Sequence, residues 1–382
     1  MKAYSGADEE TLRARNLLKD WAGEGFLTEA QYQLMERETV CDLRRTNVFL
    51  RAVLFLFTLI IVGAGLALFF TVFLSRPSEQ TTGFFLLIFA AASYVAAELA
   101  VSQARLYRYG IEESLAVCSV GFLCGGIGSF QTSEYVVAAA GALASLWIWH
   151  RFGLVYAFLA AMIFVVWLPG YWTSSHAAQH LIVAGFYAAG LVAVTLTRPR
   201  QRSIAEALLW LGIYLAINLR IFSIGPDAHW WGGVKNTTEF SRPFYWSTWV
   251  LIWCLPPVVL ARGLRKKDRF VMAAGGIAAV VTLITNKPYL EWPRHTWDPM
   301  LLGALLIGIA LWVRRWLASG PDGIRRGFTA QRLSGKDKQW LSAGSAALGI
   351  ASPHAVALNP QSSPEVRFGG GDSAGGGATS DY

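Results

Sequence analysis

"NVFLRAVLFLFTLIIVGAGLALFFTVFL" runs from Asn47 to Leu74 and carries one charged side chain, Arg51. An amphipathic helix of a soluble protein keeps a polar face at a period of 3.6 residues. Here apolar side chains fall on every face. The run exceeds the ~20 residues that cross a hydrocarbon core about 30 Å thick. It reads as a membrane-spanning helix, and it is the first of a series. Similar runs cover about 48–74, 82–103, 113–130, 135–149, 152–169, 179–196, 204–224, 246–261, 270–285 and 299–317. The fourth is short, so a re-entrant hairpin with the third or fifth is the alternative reading.

The composition agrees. Of 382 residues, 54% are hydrophobic and only 15% charged; soluble chains average roughly 25% charged residues. The net charge of +8 does not point to nucleic acid, because the basic residues sit in short connections and form no stripe with interleaved aromatics. With the N-terminus cytoplasmic, the inner connections hold Arg105, Arg108, Arg151, Arg198, Arg200, Arg202, Arg262, Arg265, Lys266, Lys267 and Arg269. The outer ones hold Arg76, Lys235, Arg242, Lys287 and Arg294. That bias matches the positive-inside rule with both termini cytoplasmic.

The expected architecture is all-α: a polytopic transmembrane helical bundle of about ten spans. A short helical pair precedes it in residues 1–47, the bundle occupies 48–317, and a disordered, flexible Gly-rich tail follows in 318–382. In the first part, a helix from about Asp8 to Gly23 is broken at "GEGF", since glycine ends helices well. In "LTEAQYQLMERETVCDLRR", Thr28 and Gln31 form a capping-box pattern. No apolar core near the start suggests a cleaved leader, so the first span is expected to serve as its own insertion signal. Cys41, Cys118, Cys124 and Cys254 fit no zinc spacing and no disulfide framework.

Trp21, Gly25, Leu27, Thr28 and Gln31, in "LLKDWAGEGFLTEAQYQLM" followed by a basic hinge and an immediate span, carry a resemblance. The segment is similar to the conserved N-terminal domain of unknown function in a group of uncharacterised bacterial multi-pass membrane proteins. The likeness covers roughly the first seventy residues. It implies a bacterial inner-membrane protein and brings no catalytic residue with it. A protein partner at the helix pair is a further expectation.

Ionisable groups within spans are functional candidates. Glu98 and Glu206 are such groups, each with an alternative as an interfacial carboxylate paired with a nearby arginine: Arg105 for Glu98, and Arg198, Arg200 or Arg202 for Glu206. Asn218 and Arg220 lie near the outer end of the seventh run. Arg220 there binds an anion or pairs with Asp227. "GPDAHWWGGVKNTTEFSRPFYWSTW", Gly225 to Trp249, is the longest outer loop. His229, Trp230 and Trp231 from it, with Trp292, Arg294 and His295 from the 286–298 loop, complete the candidate ligand-binding set. A loop at 170–180 forms the third side. His176 and His180 are four apart, a spacing that holds metal on a helix. No acidic or cysteine partner completes it, so no metal is expected. "HWWGG" and "HTWDP" are similar to parts of the tryptophan-rich loops of haem-handling membrane proteins. The full pattern is missing, and no cofactor is expected.

No phosphate loop, hydrolase elbow, Cys-x-x-Cys or His-Glu-x-x-His is present. The leading expectation is binding or transport of a small-molecule or lipid ligand in an aromatic outer vestibule, with the bilayer as surroundings. One alternative is an enzyme on lipid-linked or envelope substrates using Asp227, Glu239, Glu291 or Asp298. The other is a scaffold or regulator acting through its cytoplasmic termini.

Overall fold

The computed structural model describes residues 6–23, 25–39, 43–44, 46–73, 78–197, 199, 201–221, 240–293, 295–320, 324–325 and 328–329. Among these residues it is all-helical apart from one two-residue strand pair. The helices are α1 (Gly6–Gly23), α2 (Glu29–Glu38), α3 (Val48–Phe73), α4 (Glu79–Ser102), α5 (Ile111–Gly128) and α6 (Glu134–Phe152). They continue with α7 (Val155–Trp167), α8 (His176–Thr197), α9 (Arg202–Ile217), α10 (Arg242–Lys266), α11 (Arg269–Tyr289) and α12 (Asp298–Ala318). A single 3-10 turn, Leu168–Tyr171, extends α7. Seven helices, α3, α4, α5, α8, α10, α11 and α12, are long and apolar enough to cross a membrane.

The α1–α2 pair forms as its capping residues dictate. Thr28 accepts from the Gln31 backbone N–H, and the Gln31 side chain accepts from the Thr28 N–H. Arg15 of α1 donates to Glu36 of α2 at 2.7 Å. That hydrogen bond holds the Glu36 carboxyl below the usual range. The tie is therefore present above the ordinary carboxylate pKa and is lost as pH falls through the depressed one. The sequence suggests that α2 reaches Leu43, yet it stops at Glu38. Thr39 caps it, its hydroxyl donating to the Met35 carbonyl at 2.9 Å; such local bonds compete with helix continuation.

From α3 onward the helices alternate in direction, and their ties fall at two ends. The basic end holds the α4–α5, α6–α7, α8–α9 and α10–α11 connections. The aromatic end holds the start of α8, the close of α9, the start of α10 and the close of α11. Glycines let hairpin partners approach. A Cβ on Gly83 of α4 would meet the Gly126 carbonyl of α5 at 2.9 Å. The small residues of "GGIGSF" were expected to allow this approach. On α10, a Cβ on Gly263 would meet the Met272 backbone nitrogen of α11 at 2.8 Å.

Buried apolar side chains lie where α7, α8 and α9 meet, where α4 to α7 meet, and where α9, α10 and α11 meet. The surfaces of α3 and α12 contain no buried residue. Their side chains are apolar and outward-facing, as lipid-exposed helices require. Ile324–Arg325 and Phe328–Thr329 pair antiparallel. Arg325 lies 4.6 Å over the Trp316 ring at the close of α12. These four residues fall inside the stretch expected to be flexible. Of the rest of it, 318–320 are described, and 321–323, 326–327 and 330–382 lie outside the described residues.

Helix α9 is central and short. Its 16 residues rise about 24 Å. The 25 residues of α10 and 21 of α11 rise about 38 and 32 Å. All three are joined at the basic end, where Ser203 donates to Asp268 and Glu206 meets Arg262. The close of α9 meets His180 of α8 and Thr285 of α11, each about one turn inside the aromatic-end terminus of its own helix, so α9 ends about one turn below that rim. The apolar run had suggested a helix through residue 224. Asn218 stops it instead, adopting ψ 92° while its side chain is engaged elsewhere.

Candidate functional site at the close of helix 9

Below that rim lies a polar cluster in otherwise apolar surroundings. Asn218, fully buried, donates to the Tyr214 hydroxyl and to Thr285, both at 3.1 Å. Its side-chain oxygen accepts from the Arg220 backbone N–H at 3.2 Å. Tyr214 meets Thr282 at 2.8 Å, and the Thr282 hydroxyl is within 2.9 Å of the Ile252 and Ala278 carbonyls. The Tyr289 hydroxyl accepts from the Leu219 N–H at 2.9 Å. Tyr245 donates to the Tyr289 carbonyl at 2.9 Å and accepts from Arg220 at 2.7 Å. The Arg220 guanidinium lies 5.5 Å from the Tyr245 ring centre and 5.9 Å from that of Tyr289. These bonds satisfy the Leu219 and Arg220 N–H groups just past α9 and the Tyr289 carbonyl that the end of α11 leaves open, and they lock α9 onto α10 and α11.

Tyr289→Phe tests the lock. It removes the acceptor of a buried N–H that has none other, which costs roughly 1–3 kcal/mol. Tyr214→Phe should cost less, because Asn218 keeps Thr285 and Thr282 keeps its carbonyls. Thermal unfolding in mild detergent reads both. Equal losses would contradict this arrangement.

His180 closes the α8 side. Its Nδ1 is 2.6 Å from the Ala216 carbonyl in the last turn of α9. Its ring meets Phe240 edge-on at 6.0 Å between centres. His180 is 2% exposed, and its Nε2 has no hydrogen-bond partner among the described residues. The neighbouring Gln179, also 2% exposed, donates from Nε2 to the Thr173 carbonyl at 2.7 Å; its Oε1 likewise has no partner among the described residues. Buried polar atoms are nearly always paired; these two exceptions are adjacent on one turn of α8, at the end opposite Gln201 Oε1 and Arg202 Nε, which are also without a hydrogen-bond partner among the described residues. The chain leaves for residues 222–239 just beyond Arg220 and returns at Phe240.

No family model, curated protein or solved structure matches this chain.

The expected site residues divide into three groups. Arg220 and Asn218 join the cluster. Asp227, His229, Trp230, Trp231 and Arg294 lie outside the described residues, as does Glu239. Trp292 and His295 belong to a connection tied to itself. Lys287 meets Asp298 at 2.5 Å, His295 stacks on Trp297 at 5.6 Å, and the His295 N–H donates to Asp298 at 3.0 Å. No described contact joins them to Arg220 or His180. Asp298, a candidate general base, is thus held by a lysine. Of the His176–His180 spacing, the structure engages His180 through Nδ1 with the α9 carbonyl. Among the described residues no group of three or more His, Cys, Asp or Glu is placed to hold a metal ion.

Glu98 and Glu206 belong to the basic end and take the ion-pair alternative, Glu98 with Arg151 where Arg105 was expected, and Glu206 with the expected Arg202 joined by Arg262 and Lys266. Glu98 accepts from Arg151 at 2.6 and 2.7 Å and from Tyr94 at 2.9 Å. Glu206 is met by Arg262, Lys266 and Arg202. A third pair escaped notice: Glu113 accepts from Arg51 at 2.5 and 2.8 Å. The missed aromatic-end residues had one sequence signal. Thr282, Thr285 and Tyr289 are spaced i, i+3, i+7 on an apolar helix, a polar stripe on one face.

Proposed function

We propose that the chain is a ten-span bacterial inner-membrane protein with cytoplasmic termini, which binds or transports a ligand at the aromatic end of α8–α11. The observation that carries this reading is the pair of buried, unpartnered acceptors on the first turn of α8, beside a helix end set below its neighbours. Most buried acceptors find a donor in protein, water or ligand, and a ligand donor is the partner this reading supplies. The described chain stops at Ile221 and resumes at Phe240, both at this place; "DAHWWGG" falls between them in the sequence and outside the described residues.

The ten crossings are α3 to α12. The alternation of cross-helix ties between two ends supports them, and the basic connections all share one end, which the positive-inside rule places in the cytoplasm. Of the two shortest, α7 with its 3-10 turn and α9, the latter has no exposed residue and packs among longer helices, where a short crossing needs no lipid match. The likeness of its first residues to a group of bacterial membrane proteins supports the inner-membrane reading.

Native mass spectrometry of the gently extracted protein tests binding. The expected result is one retained small molecule or lipid per chain, lost from the His180→Phe variant. A wild-type protein that carries nothing, or an occupancy equal in both, overturns the reading. Reporter fusions at the connections test the crossings, and an external C-terminus overturns them.

One observation favours a second reading, a partner-binding scaffold. Trp21, Phe26 and Leu34 of the α1–α2 pair are 46%, 73% and 63% exposed, an apolar surface of the kind that marks interaction sites. Deleting residues 1–45 would then abolish function while His180 variants leave it intact.

A further inference from the structure

The two unpartnered atoms on α8 are of one kind. Gln179 donates from its amide nitrogen to a carbonyl, so its free atom is the oxygen, an acceptor. The Ala216 carbonyl beside His180 Nδ1 can only accept. Nδ1 therefore carries the ring proton, and Nε2 offers a lone pair. Arg220, the cation of the cluster, already donates to Tyr245 and lies over two aromatic rings. An anion arriving at α8 would meet two lone pairs.

We propose that the ligand at this end presents a hydrogen-bond donor, an amine or a hydroxyl, to His180 Nε2, with Gln179 Oε1 as the second acceptor. This rests on the ligand-binding reading above and reverses the anionic ligand that Arg220 suggested from the sequence. The stacked Phe240 and Phe244 rings, 5.7 Å apart, suit an apolar body behind the donor.

Three probes share one ring and differ in the group attached: benzylamine, benzyl alcohol and benzoate. Each is titrated against the full-length protein in lipid nanodiscs. The readouts are the unfolding midpoint and the 15N resonance of His180 Nε2. Benzylamine or benzyl alcohol should bind saturably and move that resonance, with benzoate at least about tenfold weaker. His180→Phe should lower the affinity of the donor probes about tenfold, the effect of one lost hydrogen bond. Gln179→Met gives a second test should His180→Phe not fold, with a loss in the same direction. If benzoate binds as tightly or more so, and Arg220→Gln abolishes this, the donor assignment falls while a ligand site remains. Donor probes that bind equally to wild type and both variants also overturn it. If none of the three binds, both readings fall.

Discussion

Replacing Gly110 by alanine is expected to cost about 4 kcal/mol, the sum of two separate penalties. Gly110 precedes α5 with φ 104°, a backbone conformation that side-chain-bearing residues adopt only with strain of about 1–3 kcal/mol. A Cβ there would also meet the Arg51 carbonyl of α3 at 2.3 Å and the Phe55 nitrogen at 3.0 Å. Both are backbone atoms within a helix, so neither turns aside; α3 must move, at roughly 1–3 kcal/mol more. Little else holds α3. It has no buried residue. Among the described residues its other ties are the Arg51–Glu113 pair, the Phe69 ring against Phe85 and Phe89 of α4, and the backbone bonds that Arg44, just before it, makes with Arg105 and Tyr107. The variant should therefore unfold at lower temperature and admit protease near residue 46 before the rest of the chain opens. Gly65→Ala is the control. Nothing lies within 4 Å of its Cβ, and in a helix interior alanine is favoured over glycine by up to about 1 kcal/mol. Equal stability of the two variants would mean that α3 does not approach α5 in this way.

Helix existence was legible because apolarity over a full turn on every face has one physical meaning in a long run. Each run of the sequence finds a helix, α3 to α12. The ends were less legible. Periodicity reads "NLRIFSI" as more of the same helix, since its side chains are mostly apolar. The stop at Asn218 depends on Tyr214, one turn back, and on Thr285, 67 residues away. The same blindness applies to charge. Arg105 was the expected partner of Glu98 because it is near in sequence. Arg151, 53 residues on, is nearer in space because α4 and α6 bring their basic ends together.

The site was legible in part for a related reason. Charges and tryptophans draw the eye, so Arg220 and "DAHWWGG" stood out. Tyr245, Thr282, Thr285 and Tyr289 carry no charge, and a hydroxyl in a span looks incidental until its partner is known. His180 was noticed for its spacing from His176. Its use is set instead by a carbonyl at the end of another helix, which no local spacing can reveal.

Glu206→Leu is expected to lower stability by about 3 kcal/mol, at the low end of what breaking a buried ion pair costs. The carboxylate is 1% exposed, while Arg202, Arg262 and Lys266 around it are each about one-third exposed. Its removal leaves three cations facing one another with no anion between them. Their partial exposure lets each turn toward water, which keeps the loss from the top of the range. Arg262→Met should cost only about 1 kcal/mol, because Lys266 still meets both carboxylate oxygens, at 2.9 and 3.0 Å. That asymmetry identifies Glu206 as the hub. Added salt separates the hub from an exposed pair: it should weaken Arg15–Glu36 and leave the Glu206 contribution nearly unchanged. The tie joins α9 to α10 at the basic end, whereas the unpartnered acceptors lie at the opposite end of α9. The Tyr289, Asn218 and Tyr245 bonds fix that opposite end independently. Glu206→Leu should therefore leave benzylamine affinity unchanged at temperatures where the chain remains folded. A parallel fall in affinity would mean that α9 moves as one rigid piece, with both ends setting the position of the Ala216 carbonyl that orients His180.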